Sequence, residues 1–349
     1  MNKIRLALIG FGSVGREFCR IIRERGSEWE DKFGCSFPIT AITTASRGSL
    51  INPEGIDISR ALEEITSYGR FREENPDRSD ITSMEAAALD SNDVVVEIST
   101  LNIESGRPAA DHISTALKAG KHVITANKGP VAFYYRELVE LTRKADRRFL
   151  FEGVVMDGAP VFNLVRETLP GCTIKGFRGI LNSTTNFILC SMEKGMTFEE
   201  ALRNAQEMGW AEADPSMDIE GWDAAAKTAV LINVLMDGNL TPSRITRTGI
   251  SGINSDQIRT AKRNNKVIKL ICEGYLNKNG EVMGKVAPVA LPESDRMAGI
   301  EGTSSLLELT TDLAGKVSII IDDPKIGETA YALISDLLTI CRQINLLND

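Results

Sequence analysis

At 349 residues, with 42% hydrophobic and 25% charged side chains, the chain is long enough for two domains that each bury a core. Lys and Arg number 40 against 48 Asp and Glu, a formal charge of −8 that argues against a nucleic-acid groove or an anionic membrane surface as the main partner. No apolar run approaches the roughly 20 residues of a membrane span, and the 6 scattered cysteines and 2 histidines (His112, His122) form no CxxC pair and no transition-metal cluster, a spacing that predicts reduced thiols in a cytoplasmic protein.

Residues 4–9 (IRLALI) read as a short strand, followed at once by Gly10-Phe11-Gly12-Ser13-Val14-Gly15 and a helical pattern through Phe18, Ile21 and Ile22. Strand, GxGxxG and helix in that order form the dinucleotide fingerprint. Gly10 makes the tight turn, Gly12 admits the pyrophosphate, Gly15 lets helix approach strand, and the helix N-terminus attracts phosphate. The second strand, near residues 39–43, ends in Thr44-Ala45-Ser46-Arg47-Gly48. An NAD site normally ends this strand with an acid for the ribose hydroxyls. None is present, so Ser46 and Arg47 suit a 2′-phosphate and the expected cofactor is NADP, with NAD as the alternative; Arg47 as a solvated loop residue is the plainer reading.

The valine run of residues 93–98 (DVVVEI) is that of a buried parallel strand, and it places Ser99 and Thr100 at the carboxyl end, where such sheets bind ligand. A helix closed by Gly120 leads to another strand, residues 121–125. Lys128 then lies at that strand's carboxyl end, toward the nicotinamide, although Asn-Lys-Gly-Pro is also good turn chemistry. His122 reads as a strand surface residue.

The pattern changes after Arg148. Residues 149–155 look like a strand and residues 156–160 like a turn. Residues 176–181 form a strand that opens onto Asn182-Ser183-Thr184-Thr185-Asn186, which offers several hydrogen bonds to a small polar ligand or, more simply, an N-cap. Residues 209–221 are acidic and broken by Pro215. From Trp222 a helix of small and apolar residues begins, with only two charges before Met236: Asp223 and Lys227. Their i,i+4 spacing puts them on one face, as in an exposed salt bridge. Ala224, Ala225, Ala226, Ala229 and Val230 around them point instead to a buried helix, where an ion pair is costly unless well paired, and that favours a functional site.

Three segments, ITANKGP (124–130), GILNSTTNFIL (179–189) and AEADPSMDIEGWDAAAKTAVL (211–231), lie in order behind GFGSVG (10–15). Together they resemble the homoserine dehydrogenase family over essentially the whole chain, in a short form without a C-terminal regulatory domain. The resemblance implies reversible NAD(P)H-dependent reduction of L-aspartate 4-semialdehyde to L-homoserine, in threonine and methionine biosynthesis. The implied α/β fold has an N-terminal Rossmann-type doubly wound parallel sheet, an α+β substrate and dimerisation domain, and a C-terminal helix returning to the first domain. The expected boundaries are 1–130, 131–320 and 321–349, in a cytoplasmic homodimer. By matching position, Lys227 resembles the proton-donating lysine and Asp223 its helix partner. Glu212 resembles the carboxylate that holds the substrate's amino group, with Asp218 a second acidic substrate position and Lys128 the lysine beside nicotinamide and substrate. Thr184 and Asn182 fall in the substrate loop. Glu152, with the backbone around Val155, Asp157 and Ala159, resembles a monovalent-cation site.

The chemistry agrees: hydride addition to an aldehyde leaves an alkoxide that needs a proton or a cation, and a lysine supplies either. Two segments depart from the family pattern. Met156-Asp157 replaces a glycine-rich run, and in residues 322–330 only Gly327 remains of a glycine-rich loop, which puts cofactor contacts there in doubt. These departures sustain a second reading, a non-catalytic NAD(P)-sensing protein; a Rossmann reductase of another small carbonyl compound is a third.

Overall fold

The computed structural model describes residues 2–348, with side-chain surroundings as far as Ile344. Contacts divide it into a first unit, formed by residues through Pro160 and from Lys325 on, and a second unit, Val161–Pro324. In the first unit, β1 (Leu6–Ile9), β2 (Ile39–Thr43), β3 (Ser49–Ile51), β4 (Arg78–Ser79), β5 (Val94–Glu97), β6 (His122–Thr125) and β7 (Phe149–Leu150) make one sheet in the order β4-β3-β2-β1-β5-β6-β7. The five strands from β2 to β7 in that order run parallel, and β3 and β4 form an antiparallel edge. Every residue of β1 and β5 is buried, as the unbroken apolar runs require of strands covered on both faces.

Helix α1 (Ser13–Phe33) follows β1, α2 (Ala109–Lys118) precedes β6 and α3 (Lys128–Ala145) follows it. The C-terminal helix spans Ile326–Asn348. Its Leu333, Ile334, Leu337 and Ile340 join Leu6, Leu8 and Phe18 in one core, so the returning helix completes the first unit.

Three expectations change here. The contact division falls at Pro160 and Lys325, later than residues 130 and 320, because β7 pairs in parallel with β6. Residues 149–155 are strand only at Phe149–Leu150. Beyond it the chain makes a 3-10 turn, Glu152–Val154, whose first amide donates to Asp336 Oδ2 at 2.8 Å instead of to a neighbouring strand. The cysteines are not all reduced: Cys35 and Cys341 form a disulfide, while Cys19, Cys172, Cys190 and Cys272 are free. The two bonded residues are 306 apart in sequence, so no local spacing marks the pair.

The second unit's sheet contains β8 (Ile174–Ile180), β9 (Thr246–Arg247), β10 (Lys266–Leu276), β11 (Val282–Pro292), β12 (Ser305–Thr311) and β13 (Lys316–Ile321), in the order β9-β11-β10-β8-β12-β13. Helix α4 (Ser183–Glu193) leaves β8 directly, and α5 (Trp222–Leu235) packs on one sheet face. The approach is close because Gly284 presents no side chain to it. A Cβ there would lie 2.8 Å from Ile232 and 3.4 Å from Thr228. On the other face the register lines up Lys285, Glu273, Arg178 and Glu308, one per strand with alternating charge. Among the described residues no helix is long and apolar enough to cross a membrane.

Candidate active site

The β1–α1 turn is built as its glycines require. Gly10 has φ +107°, and a Cβ there would lie 2.3 Å from the Ile98 carbonyl, so only glycine is tolerated. A Cβ at Gly12 would meet nothing within 4 Å, which leaves that side of the turn open to a ligand. Gly12 caps α1 without a side chain, and no acid occupies the first turn, so the helix's leading N–H groups remain for an anion. Phe11 is buried against Phe71, and Gly15 packs beneath Ile98. Ser13 is exposed and Val14 half-buried at the helix start. Arg16, a cation where the helix dipole disfavours one, lies beside this loop and was not singled out from sequence.

A cavity of about 520 Å³ opens here, lined by Gly10, Gly12, Ser46, Arg47, Ser99 and Thr100 among others. The Arg47 backbone is pinned by Thr44, whose Oγ1 accepts from the Arg47 amide at 2.8 Å. The Arg47 guanidinium makes no hydrogen bond or ion pair among the described residues.

Beneath Ser99 lies a group that sequence reasoning passed over. The Ser99 hydroxyl donates to Glu97 Oε1, a carboxylate fully buried at the end of β5. His112 Nδ1, from α2, sits 3.3 Å from the same oxygen. Thr125 Oγ1 donates to the Glu97 carbonyl at 2.6 Å and accepts from the Asn127 amide at 2.9 Å. Asn127 Nδ2 in turn donates to the Ser99 carbonyl at 3.3 Å. This network ties the carboxyl ends of β5 and β6 together. The available signal was an acid ending a run of valines.

Lys128 opens α3, whose cap is the Asn127 side chain accepting from Gly129 N at 3.1 Å. The turn chemistry is therefore realised, and Lys128 lines a small cleft of about 140 Å³ with Val14 and Ser99. His122 is not a plain surface residue. It is half-buried, its Nδ1 accepts from the Arg148 amide at 3.0 Å, and burial together with Arg147 and Arg148 lowers its pKa to about 4.

In the second unit the expected residues gather around one amide. Asn182 caps α4 through Oδ1, which accepts from Thr185 N at 2.9 Å. Its Nδ2 donates to Asp218 Oδ1 at 2.7 Å and to Asp223 Oδ2 at 3.0 Å. One side chain thus caps α4 and binds both carboxylates. Asp223 Oδ2 also lies 3.2 Å from Lys227 Nζ, and both side chains are mostly buried, 14% and 17% exposed. Lys227 Nζ donates further to the Leu181 carbonyl at 2.7 Å. Burial and the nearby Asp223 raise the Asp218 pKa, opposed by Asn182, Lys227 and Thr184. Thr184 Oγ1 donates to the Trp210 carbonyl at 2.8 Å, anchoring the acidic lead-in, and Trp210 packs edge-on against Phe187. Glu212 stands apart. It is exposed, and its carboxylate has no partner among the described residues, although its carbonyl accepts from Gln206.

Glu152, Val155 and Ala159 are buried together in the turn after β7. Asp157 has φ 50° there, a conformation that glycine adopts most easily, so one glycine-like turn survives the sequence departure. Its carboxylate accepts from Thr329 Oγ1 at 2.8 Å. No group of three or more His, Cys, Asp and Glu that could hold a metal ion occurs among the described residues. In the second departure, Asp323 is occupied inside the second unit, accepting from Thr303 Oγ1 at 3.0 Å.

Comparison with known proteins agrees with this geometry. Residues 10–152 match the family described as homoserine dehydrogenase, NAD binding domain, and residues 160–338 match homoserine dehydrogenase. An NAD(+)-dependent homoserine dehydrogenase of Pseudomonas canavaninivorans is 37% identical over 343 residues, covering 97% of both chains. The homoserine dehydrogenase of Methanocaldococcus jannaschii is 37% identical over 96% of this chain and 98% of its own. The crystal structure of a putative homoserine dehydrogenase from Archaeoglobus fulgidus superposes with a TM-score of 0.86 at 31% identity, covering 97% of this chain and 99% of its own. A glycine-rich turn at a helix N-terminus, a mostly buried lysine–aspartate pair and full-length likeness coincide, and the chain belongs to the homoserine dehydrogenase family.

Proposed function

We propose that the chain interconverts L-homoserine and L-aspartate 4-semialdehyde with Lys227 carrying the proton. The observation that carries this reading is the continuous set of contacts from Asp218 through Asn182 and Asp223 to Lys227. A bound nicotinamide supplies or accepts the hydride. In the reducing direction the aldehyde oxygen becomes an alkoxide, and the Lys227 ammonium protonates it. The Leu181 carbonyl and Asp223 hold that ammonium in one direction. Asp218, with Glu212 from the exposed lead-in, suits the substrate ammonium. The hydroxyls and amides of residues 182–185 suit its carboxylate. Lys128 serves beside the nicotinamide.

The preferred cofactor in this reading is NADP. The relative from Pseudomonas canavaninivorans is described as NAD(+)-dependent. What supports a 2′-phosphate here is the cavity lined by Ser46 and the unpaired Arg47, with no acid at the end of β2. A monovalent cation on Glu152 and the carbonyls around Val155, Asp157 and Ala159 is the corresponding proposal for the turn after β7, since hard cations take oxygen donors. Its test is the dependence of turnover on KCl at constant ionic strength.

Association of two copies through the second unit is supported by Tyr275 and Ile320. Both are exposed on the sheet face opposite α5, and sedimentation reads the outcome. The principal test is spectrophotometric: homoserine is added with NADP and, separately, with NAD, and reduced nicotinamide is followed. Absence of turnover with both overturns the reading.

A further inference from the structure

In parallel sheets of this kind ligands normally bind at the carboxyl ends of the strands. The opposite, amino edge of the first unit's sheet carries a second cavity, of about 650 Å³. It is formed by the residues that lead into β1, β5, β6 and β7 and by the C-terminal helix.

Most charges around it are already matched. Asp93 is gripped by Arg5, whose Nε and second guanidinium nitrogen donate to its two oxygens at 2.9 and 2.8 Å. Arg147 closes the end of α2, donating to the Gly120 carbonyl at 2.6 Å and to the Asp146 carbonyl at 2.9 Å. Three polar groups lining the cavity make no hydrogen bond among the described residues. Lys121 is only 9% exposed; its ammonium makes no hydrogen bond among the described residues, and the charge it faces, Asp93, which it helps hold ionised, is already gripped by Arg5. Asn92 is fully buried, with neither its amide oxygen nor its amide nitrogen hydrogen-bonded. Gln343, from the C-terminal helix, has a buried and unpartnered Oε1.

Buried polar groups are normally satisfied, and a mostly buried cation is normally paired. Capping of helix ends explains Arg147 and leaves Lys121, Asn92 and Gln343 unexplained. Their combined requirement defines a ligand. Lys121 needs an anionic oxygen, the Asn92 nitrogen a further acceptor, and the two amide oxygens an N–H or O–H donor.

We propose that this cavity is a second small-molecule site, distinct from the cofactor and substrate residues, that binds a small anion carrying a carboxylate or phosphate group together with a hydroxyl or amino group. Lys121 takes the anionic group, and Asn92 and Gln343, whose amide atoms have almost no accessible surface as placed, turn to take the polar remainder. Strands β5 and β6, only four residues long, connect this site to Ser99 and Asn127 at the other edge. Occupancy is therefore one strand length from the cofactor turn.

The test uses the whole protein saturated with NADPH, so that the glycine-rich turn is already filled. Two probes, glycerol 3-phosphate and malate, are titrated separately by calorimetry, which distinguishes a phosphate-bearing from a carboxylate-bearing ligand. The expected result is saturable binding of one of them, weakened at least about tenfold in Lys121→Met, as loss of a charge-assisted contact requires. Asn92→Leu is the second variant. It removes an unsatisfied amide, so it is expected to lose binding while keeping or raising the melting temperature, which a merely structural Asn92 would not do. If neither probe binds, or if Lys121→Met binds both as the parent does, the proposal is overturned.

Discussion

Lys227 donates through Nζ to the carbonyl oxygen of Leu181 at 2.7 Å, fastening the middle of α5 to the end of β8. Asp223 alone could not fix that ammonium, because partner and lysine share one helix and a long side chain can turn about it. A second acceptor from a different element sets its direction. Proton transfer depends on such direction as much as on acidity. Lys227→Met is therefore expected to lower kcat by about 10²- to 10⁴-fold, the usual worth of a positioned acid or base, with NADPH affinity unchanged by fluorescence titration. Near-normal turnover in this variant removes Lys227 from the mechanism.

Asn182 donates to both Asp218 and Asp223. In Asn182→Ala the two carboxylates face each other without it, and Asp218, already raised by burial and by Asp223, moves further up. The acid limb of the pH profile of kcat/KM for homoserine should move to higher pH. The value at its optimum should fall about 10- to 100-fold, as for loss of hydrogen bonds to charged groups. An additional loss of about 1 kcal/mol in stability is expected from the missing helix cap, measurable by urea unfolding. An unmoved acid limb would show that Asp218 does not titrate in the free enzyme's catalytic cycle.

The guanidinium of Arg47 has no protein partner among the described residues, and Arg47 lines the cofactor cavity. Removing it should cost NADPH and spare NADH. For Arg47→Ala the ratio of kcat/KM values, NADPH over NADH, is expected to drop about tenfold or more, the scale of a charge-assisted hydrogen bond. Equal use of both cofactors by the parent protein contradicts the assignment directly.

His122 gives a stability prediction whose sign follows from its depressed pKa. The unfolded chain takes up a proton near 6.5 and the folded one near 4. Stability from this residue is thus complete above pH 6.5 and is lost as pH falls through about 4. The full difference is on the order of 3 kcal/mol at about 1.4 kcal/mol per unit, an upper figure for a group that keeps some contact with water. Unfolding free energies compared between pH 7 and pH 4.5 should fall less in His122→Gln than in the parent. Equal falls would locate the acid sensitivity elsewhere.

Much of this site could be read from the chain because its signals are local. Gly10 and Gly12 sit between a strand and a helix. Asp223 and Lys227 are the only charges in a helix of small residues. Asn182 follows a strand and precedes a helix. What stayed hidden depends on distance in sequence. Asn182 is visibly a cap, but nothing near it shows that its nitrogen reaches Asp218 and Asp223, 36 and 41 residues on. The Glu97–His112 contact joins a strand end to the next helix, and no motif encodes it. Glu212 illustrates the reverse case, a motif position that the fold leaves at the surface. A strand after Arg148 is legible, but nothing near it shows that it pairs with β6, which is why the contacts divide the chain at Pro160 and not at residue 130.

The returning C-terminal helix also dictates an order of synthesis. A nascent chain emerges amino end first, and domains tend to fold as they appear. Val161–Pro324 is then fully out while the first unit still lacks Leu333, Ile334, Leu337 and Ile340. The unit begun first is the last to be finished. Until those side chains arrive, Leu6, Leu8 and Phe18 have part of their core missing, and the half-made nucleotide unit is the form most in need of protection from aggregation.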